Sequence, residues 1–205
     1  MSDNGLDTVY DVTSVADAAE LYAKWADGYE GELSRNGYVT PLRCAAALAE
    51  HANLPWAPVI ELGCGTGLGG MALINAGFEC VDGVDISPEM LAYAEAKSIY
   101  RSNWQADLSQ PLDTIPNETY QNAAAIGVLN PNYIPSTVID QVLSKLPEGG
   151  CFVFSLNDHA IADRSYETRI MELTEYSQAD LILKEHGEHL PEIGLMSTIF
   201  LLKKR

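Results

Sequence analysis

The chain has 205 residues, of which 47% are hydrophobic and 20% are charged, as in an ordinary globular protein. This length allows one substantial hydrophobic core and is short for two independent domains. Acidic residues outnumber basic residues 29 to 12, which gives a formal net charge of −17 at pH 7. Because such a surface repels nucleic acid and anionic lipid, we expect neither as a partner and predict that the chain binds a small molecule.

The longest apolar runs fall far short of the roughly 20 residues that a membrane-crossing helix needs. The first eight residues are polar and acidic, without the basic and apolar regions of a secretory signal, so we expect a cytoplasmic protein. The four cysteines lie far apart, without a C-x-x-C pair or a neighbouring histidine cluster. This spacing predicts free thiols and no metal site.

Hydrophobic periodicity predicts two helices before the first strand, over about residues 15–27 and 41–51. Strands then alternate with helical patterns, and the predicted strands span about residues 58–62, 79–86, 100–106, 122–129 and 151–156. Two last apolar runs, at about residues 181–189 and 196–202, are joined by a short connection and predict a hairpin. The alternation predicts an α/β fold, a mostly parallel sheet doubly wound with helices on both faces.

Short sequence signals also locate two helix ends. Gly77 stands where a glycine typically ends a helix, here the one that follows the first strand. Ser87 as N-cap and Pro88 at the first helical position predict the start of the helix after the second strand.

A glycine-rich turn follows the first predicted strand, and an acid, Asp85, ends the second strand 20 residues after Gly65. Glycines let a ligand approach the backbone closely, and the acid can accept hydrogen bonds from two ribose hydroxyls. This arrangement is typical of adenosine-ligand sites in such sheets. Because Gly65–Gly70 also fits the dinucleotide pattern G-x-G-x-x-G, a nicotinamide cofactor stays open on these residues alone.

Three stretches carry a family resemblance: Val59–Gly67, Gly83–Leu91 and Gln105–Leu108. The first has an acid, Glu61, two residues before the first glycine, and the third contains a carboxylate, Asp107, able to accept a hydrogen bond from an adenine amino group. Together they resemble the class I S-adenosylmethionine-dependent methyltransferases, in the small-molecule-type branch that includes the Williams–Beuren-region methyltransferase.

The resemblance implies an enzyme that uses S-adenosylmethionine and releases S-adenosylhomocysteine. It also implies one Rossmann-like domain with a seven-stranded, mostly parallel sheet and an antiparallel last strand. Residues 1–55 would form a helical lid, and residues 56–205 would form the core.

The resemblance further implies twelve cofactor-binding residues, which are Glu61, Gly63, Cys64, Gly65, Thr66, Gly67, Asp85, Ile86, Met90, Asp107, Leu108 and Gly127. In that family the loop glycines pass under the methionine portion. Asp85 would hold the ribose, Asp107 with Leu108 would hold the adenine, and Glu61 would orient the loop and the ligand's amino group. From the residues alone, Asp85 could instead only cap its helix, Asp107 could be a turn residue and Glu61 could only support the loop.

Six residues are candidates for contact with the methyl acceptor, and they are Tyr29, Tyr38, Asn130, Tyr133, Asn157 and His159. His159 is favoured among the four histidines because it follows the fifth strand, and ligands in open sheets gather beyond the carboxyl ends of strands. Aromatic residues in the N-terminal segment resemble the family's tyrosine-rich lid, and their helical spacing also fits an ordinary core: Tyr22, Trp25, Tyr29 and Tyr38. No catalytic residue is assigned, because a methyl group on a sulfonium is primed to leave and its transfer chiefly needs alignment and exclusion of water.

Three alternatives stay open. Asn130-Pro131-Asn132-Tyr133 resembles the Asn-Pro-Pro-Tyr signature of methyltransferases that act on adenine or glutamine nitrogens, with Asn132 in place of the second proline. An NAD-dependent oxidoreductase could use the same glycine loop and Asp85. A catalytically inactive regulator that binds S-adenosylmethionine would share the whole cofactor site.

Overall fold

The computed structural model describes residues 5–9, 12–52, 54 and 56–205. The α-helices of this part are α1 Gly5–Thr8, α2 Val15–Arg35, α3 Thr40–His51, α4 Leu68–Asn75, α5 Pro88–Ala96, α6 Val138–Lys145, α7 Asp158–Ala162 and α8 Ser165–Glu175. Its strands are β1 Val59–Leu62, β2 Val81–Asp85, β3 Asn103–Gln105, β4 Asn122–Ala125, β5 Cys151–Asn157, β6 Ala179–Leu190 and β7 Leu195–Lys204. A 3₁₀ turn, Pro191–Ile193, joins the last two strands.

These strands form one seven-stranded sheet in the order β3-β2-β1-β4-β5-β7-β6. β1 pairs in parallel with β2 and β4, whereas β7 lies between β5 and β6 and runs antiparallel to each. The predicted α/β fold, with a mostly parallel seven-stranded sheet and an antiparallel last strand, is therefore confirmed. Because β7 is antiparallel to both of its neighbours, β6 runs in the same direction as β5. The last residues of β6 therefore reach the carboxyl edge of the sheet.

Strand β1 shows how the sheet separates two core layers. Successive side chains of a strand point to opposite faces. Ile60 and Leu62 pack into a cluster with residues of α6 and α8, while Val59 packs into a second cluster with residues of α3 and α4. All four residues of β1 are buried, as expected for a central strand that helices cover on both faces.

Helix α2 lies across the carboxyl edge of the sheet, since its Tyr22 shares a cleft with Gly65 and Asp85. Helix α3 instead packs on the sheet face, where Leu48 is fully buried. Within the predicted lid over residues 1–55, it is therefore α2 that covers the carboxyl edge. The parts of that lid at residues 1–4, 10–11, 53 and 55 lie outside the described residues.

Helix α2 extends to Arg35 and does not end near residue 27 as predicted. Gly28 and Gly31 lower the helix propensity of this stretch, which is why the sequence predicted a helix that ends near residue 27. The helix continues because Trp25 and Leu33 are buried against the same cluster, and tertiary packing overrides propensity.

Strand β4 ends at Ala125, earlier than predicted. The chain leaves the sheet at Gly127, which has φ +68° and whose N–H donates to Ser155 Oγ at 2.8 Å. A positive φ is accessible to glycine and interrupts the strand. The residues that follow form one wall of the candidate site.

Helices α7 and α8 were missing from the predicted elements. Asn157 Oδ1 accepts from Ala160 N–H at 2.9 Å and caps α7. Helix α8 buries Tyr166, Ile170 and Leu173, a helical stripe that the sequence contains and that its many polar neighbours obscured.

The two predicted helix ends are confirmed. Ser87 Oγ accepts from Met90 N–H at 3.2 Å as α5 begins at Pro88, and Gly77 follows α4 with φ +103°. Across the part of the chain that the structure describes, no helix combines the length and apolar character needed to cross a membrane.

Candidate functional site

A cleft lies where the carboxyl ends of β1, β2 and β4 meet helix α2. We call it the loop cleft, and its volume is about 660 Å³ including the part open to solvent. Eight of the twelve predicted cofactor-binding residues line it: Gly63, Gly65, Asp85, Ile86, Met90, Asp107, Leu108 and Gly127. The fold thus brings together in one cleft predicted residues that are up to 64 positions apart in the sequence.

Asp85 links the glycine loop to the start of α5. Its Oδ2 accepts from Gly65 N–H at 2.8 Å, and its Oδ1 accepts from Ser87 N–H at 2.9 Å. Burial raises the pKa of this carboxyl group, and the backbone hydrogen bonds from Ser87 and Gly65 oppose that shift. A carboxylate oxygen can accept more than one hydrogen bond, so supporting the loop is compatible with binding two ribose hydroxyls.

Two loop glycines are required for different reasons. Gly65 has φ +53°, and a Cβ added there would meet nothing within 4 Å, so the space beside it is available to a ligand. Gly63 has φ +65°, and a Cβ there would lie 2.2 Å from Val128 Cγ2. Gly65 is therefore needed for its conformation and for cleft volume, and Gly63 for its conformation and for close packing.

The other four predicted residues, Glu61, Cys64, Thr66 and Gly67, lie behind the loop, outside the cleft walls formed by the described residues. Glu61 is buried and accepts from the Tyr100 hydroxyl at 2.7 Å. Its Oε1 would lie 1.8 Å from a Cβ on Gly69, so it fills the space under α4. Burial raises the Glu61 pKa to about 8, partly opposed by the Tyr100 hydrogen bond.

Asp107 combines a turn role with a place in the loop cleft. Its Oδ1 accepts from Ser109 N–H at 2.8 Å, the geometry expected of a turn aspartate. Leu108, beside it, is buried and also lines the cleft. Met90 is fully buried as well as cleft-lining, so both the packing and the ligand-contact interpretations apply to it.

A second cleft of about 700 Å³ adjoins the first and is called here the aromatic cleft. All six predicted acceptor-contact residues line it: Tyr29, Tyr38, Asn130, Tyr133, Asn157 and His159. The two clefts share five wall residues, namely Tyr22, Tyr29, Gly127, Val128 and Tyr133. A molecule in one cleft is thus next to a molecule in the other.

The aromatic stripe of α2 serves both as core and as cleft wall. The Trp25 ring lies 4.8 Å from the Tyr29 ring in an edge contact and 6.0 Å from the Tyr22 ring in a stacked one. Trp25 Nε1 donates to Glu32 Oε2 at 2.6 Å, and Glu32 Oε1 accepts from Leu6 N–H at 3.2 Å. Glu32 thereby fixes α1 and the stripe to one another.

His189 also lines the aromatic cleft and was not selected from the sequence. It is buried, its Nδ1 lies 2.7 Å from Thr40 Oγ1, and its ring makes an edge contact with Tyr38 at 5.2 Å. Burial, together with the positive charge of Arg43, lowers its pKa to about 4. His189 could have been selected from the direction of β6, because the last residues of that strand reach the carboxyl edge of the sheet.

The turn after β4 bears on nitrogen-directed transfer. Asn130 Oδ1 accepts from Asn132 N–H at 3.0 Å, and the Asn130 carbonyl accepts from the N–H groups of Tyr133 and Ile134 at 3.2 and 2.8 Å. An amide or peptide oxygen can accept a second hydrogen bond, so these contacts leave the nitrogen-directed alternative open.

The cysteines and other ligand-type side chains form no metal centre within the described ranges. All four cysteines are free, and no group of three or more His, Cys, Asp or Glu side chains there could hold an ion.

Comparison with known proteins bears on the family of this site. Residues 59–150 match the family model described as a methyltransferase domain. Methyltransferase-like protein 27 from Homo sapiens is 28% identical over 142 residues, which cover 67% of this chain and 57% of that protein. The match thus spans little more than half of the human relative.

Solved structures share the fold. Magnesium protoporphyrin IX methyltransferase from Synechocystis PCC 6803, with bound SAM, is 22% identical with a TM-score of 0.61, over 81% of this chain and 78% of that chain. A chain from the complex between the Haloferax volcanii Trm112 methyltransferase activator and the putative methyltransferase is 15% identical with a TM-score of 0.64, over 89% and 96% of the two chains. The match to a methyltransferase domain over residues 59–150 and the fold shared with these solved structures agree with the family resemblance of the glycine-loop sequence.

Proposed function

We propose that the chain transfers a methyl group from S-adenosylmethionine to a small-molecule acceptor bound in the aromatic cleft. The observation that carries this proposal is the shared wall of the two clefts, at Tyr22, Tyr29, Gly127, Val128 and Tyr133. Transfer requires the acceptor atom and the methyl group to be adjacent and aligned. Adjoining clefts, one with a nucleoside-type loop and acid, supply that arrangement.

The loop cleft fits the cofactor chemically. Gly65 leaves room beside the backbone, Asp85 offers carboxylate lone pairs to ribose hydroxyls, and Asp107 offers a carboxylate at the adenine end. Ile86 and Met90 give apolar surface for a purine ring. The cofactor, when bound, supplies a methyl group on a cationic sulfonium sulfur.

The chain's own residues exclude water and hold the site closed. Lys97 Nζ donates to Glu30 of α2 at 2.5 Å and to the Thr66 carbonyl of the glycine loop at 2.6 Å, and Tyr93 hydrogen-bonds Asp27 of α2. These contacts tie α2 to α5 and the loop. We infer that α1 and α2 are the part of the predicted N-terminal lid that covers the reacting groups, while aromatic faces suit the sulfonium charge.

The in-line displacement itself needs no acid to assist the leaving group, because that group is a neutral thioether. A cytoplasmic location and the absence of a nucleic-acid or membrane partner belong to the same proposal. The net charge of −17 supports them, since such a protein is repelled by phosphate backbones and anionic lipid.

Thermal-shift measurements test this function against its rivals. S-adenosylhomocysteine at saturating concentration should raise the melting temperature, and NADH should not. Methyl transfer from labelled S-adenosylmethionine to a panel of small aromatic compounds should then give labelled product. Stabilisation by NADH alone would select the oxidoreductase, and cofactor binding without turnover on the whole panel would select the regulator.

A further inference from the structure

The aromatic cleft has an unusual charge character for so acidic a protein. None of its described lining residues is Asp, Glu, Lys or Arg. Its walls are instead aromatic, aliphatic, amide and imidazole groups. A ligand in this cleft would therefore be recognised through ring contacts and neutral hydrogen-bonding groups.

His189 is part of that neutral wall. Thr40 Oγ1 lies 2.7 Å from His189 Nδ1 and 3.1 Å from Ser197 Oγ, and Arg43 donates to Ser197 Oγ at 3.1 Å. Arg43 of α3 and Asp158 of α7 are the charged groups that face the imidazole, and Tyr38 packs against its ring. Burial and Arg43 keep the pKa of His189 near 4, so the ring is uncharged at neutral pH.

This hydrogen-bond chain can leave one ring nitrogen as an acceptor. When the imidazole proton is on Nδ1, it donates to Thr40 Oγ1, and the Thr40 hydroxyl donates to Ser197 Oγ. Nε2 then keeps its lone pair for a ligand in the cleft. A hydroxyl group is a donor that matches it.

A cleft of this kind selects against charged acceptors. A carboxylate or an alkylammonium ion enclosed there would lose water without gaining an opposite charge from the side chains that line the cleft, which is costly. The carbonyl oxygen of the Asn157 amide caps α7, so its NH₂ group is what remains for a ligand, and it matches an oxygen atom. The rings of Tyr22, Trp25 and Tyr29 give flat apolar surface.

We propose that the methyl acceptor is an uncharged aromatic compound of the phenol class whose hydroxyl donates to Nε2 of His189. This inference rests on the proposed methyltransferase function and narrows its substrate. The phenol oxygen forms a bond to the methyl carbon while the carbon–sulfur bond breaks, its electron pair staying on sulfur. The phenol oxygen becomes a strong acid as its bond to the methyl carbon forms, so its proton then passes to His189 Nε2, despite the lowered pKa of that ring, and on to water. The positive charge of the sulfonium leaves as this proton, so charge and atoms balance.

Binding of three probes of nearly equal size tests the acceptor class without any turnover. The protein, saturated with S-adenosylhomocysteine at pH 7.5, is titrated in a calorimeter with 2-naphthol, 2-naphthoate and 2-naphthylmethylamine, which are neutral, anionic and cationic. We expect 2-naphthol to bind at least tenfold more tightly than either ion. Equal or tighter binding of an ion would overturn the inference. Failure of S-adenosylhomocysteine itself to bind would instead reject the methyltransferase proposal beneath it.

His189→Asn tests the named residue, and the matched control is His51→Asn at the end of α3, a residue that lines neither cleft. We expect His189→Asn to lower 2-naphthol affinity fivefold or more while S-adenosylhomocysteine affinity stays within twofold, which also shows that the variant is folded. In ¹⁵N-histidine NMR, 2-naphthol should shift the Nε2 resonance of His189. Unchanged 2-naphthol affinity in a variant that still binds S-adenosylhomocysteine, or an unperturbed Nε2 resonance, would overturn the role of His189.

Discussion

The loop cleft and the aromatic cleft share a wall, yet they are assembled in different ways. The loop cleft is built mainly where neighbouring parallel strands end, so the order of the strands brings Gly65, Asp85 and Asp107 together. The aromatic cleft draws on α1 and α2, the turn after β4, the start of α7 and the end of β6. The loop cleft follows from the order of the strands. The aromatic cleft depends on how helices, turns and a strand end from distant parts of the chain pack against one another.

This difference separates a general part of the site from a specific part. Backbone N–H groups, glycines and one acid can serve a common cofactor in many proteins of this fold. The residues beyond them, such as Trp25, Asn157 and His189, line the aromatic cleft, and under the proposed function they would determine which acceptor fits. Variants of the loop cleft should thus change cofactor binding or stability without changing which acceptor fits, and the following changes test that division.

Asp85→Ala should give the largest loss. The change removes the proposed ribose contacts and the hydrogen bond to Gly65 N–H, so S-adenosylhomocysteine affinity should fall roughly tenfold to a hundredfold, about 1.4–2.7 kcal/mol. Calorimetry measures it, with the exposed Asp113→Ala as control. Unaltered affinity would mean that Asp85 only supports the loop.

Gly65→Ala and Gly63→Ala form a matched pair, because both positions have positive φ. Gly65→Ala places its methyl group in open cleft space and should lower S-adenosylhomocysteine affinity about tenfold, with a stability loss of about 1 kcal/mol. Gly63→Ala meets Val128 and should cost about 2 kcal/mol of unfolding free energy. Calorimetry and urea unfolding separate the two effects, and a reversed pattern would contradict the assignment of the open space to the ligand.

Glu61→Gln should change the pH dependence of stability. The folded-state pKa of Glu61 is raised to about 8 from 4.5, so the folded protein holds the extra proton between these values and loses stability as pH rises through them. Relative to Glu61→Gln, the natural protein should therefore lose on the order of 1 kcal/mol or more between pH 5 and pH 8. Urea unfolding at both pH values, with the exposed Glu50→Gln as control, measures the difference. Parallel pH profiles would show that Glu61 ionises normally.

Lys97→Met should have the smallest effect. It removes the ion pair to Glu30 and the hydrogen bond to the Thr66 carbonyl, which together link α2 to the glycine loop. S-adenosylhomocysteine affinity should fall two- to fivefold, about 0.5–1 kcal/mol. Lys24→Met, whose partner Glu20 lies on the same helix, is the control and should leave affinity unchanged. An equal effect in both variants would argue against a link between lid and loop.

The sequence predicted the fold, and the position of Asp85 next to the glycine loop, because both follow from local patterns. Strand periodicity, the cap at Ser87 and the spacing from Gly65 to Asp85 act over short distances. The place of Glu61 behind the loop was not readable, since it depends on Tyr100 and Gly69 packing around it. In the same way, nothing local in the sequence connects His189 with Thr40, which lies 149 residues earlier.

A crystal structure of the protein with S-adenosylhomocysteine tests the central claim most directly. We expect the nucleoside in the loop cleft, with its ribose hydroxyls on Asp85, its adenine beside Asp107 and Leu108, and its sulfur facing the aromatic cleft. Density for the nucleoside at any other place, or a loop cleft closed by side chains at saturating ligand, would contradict the account.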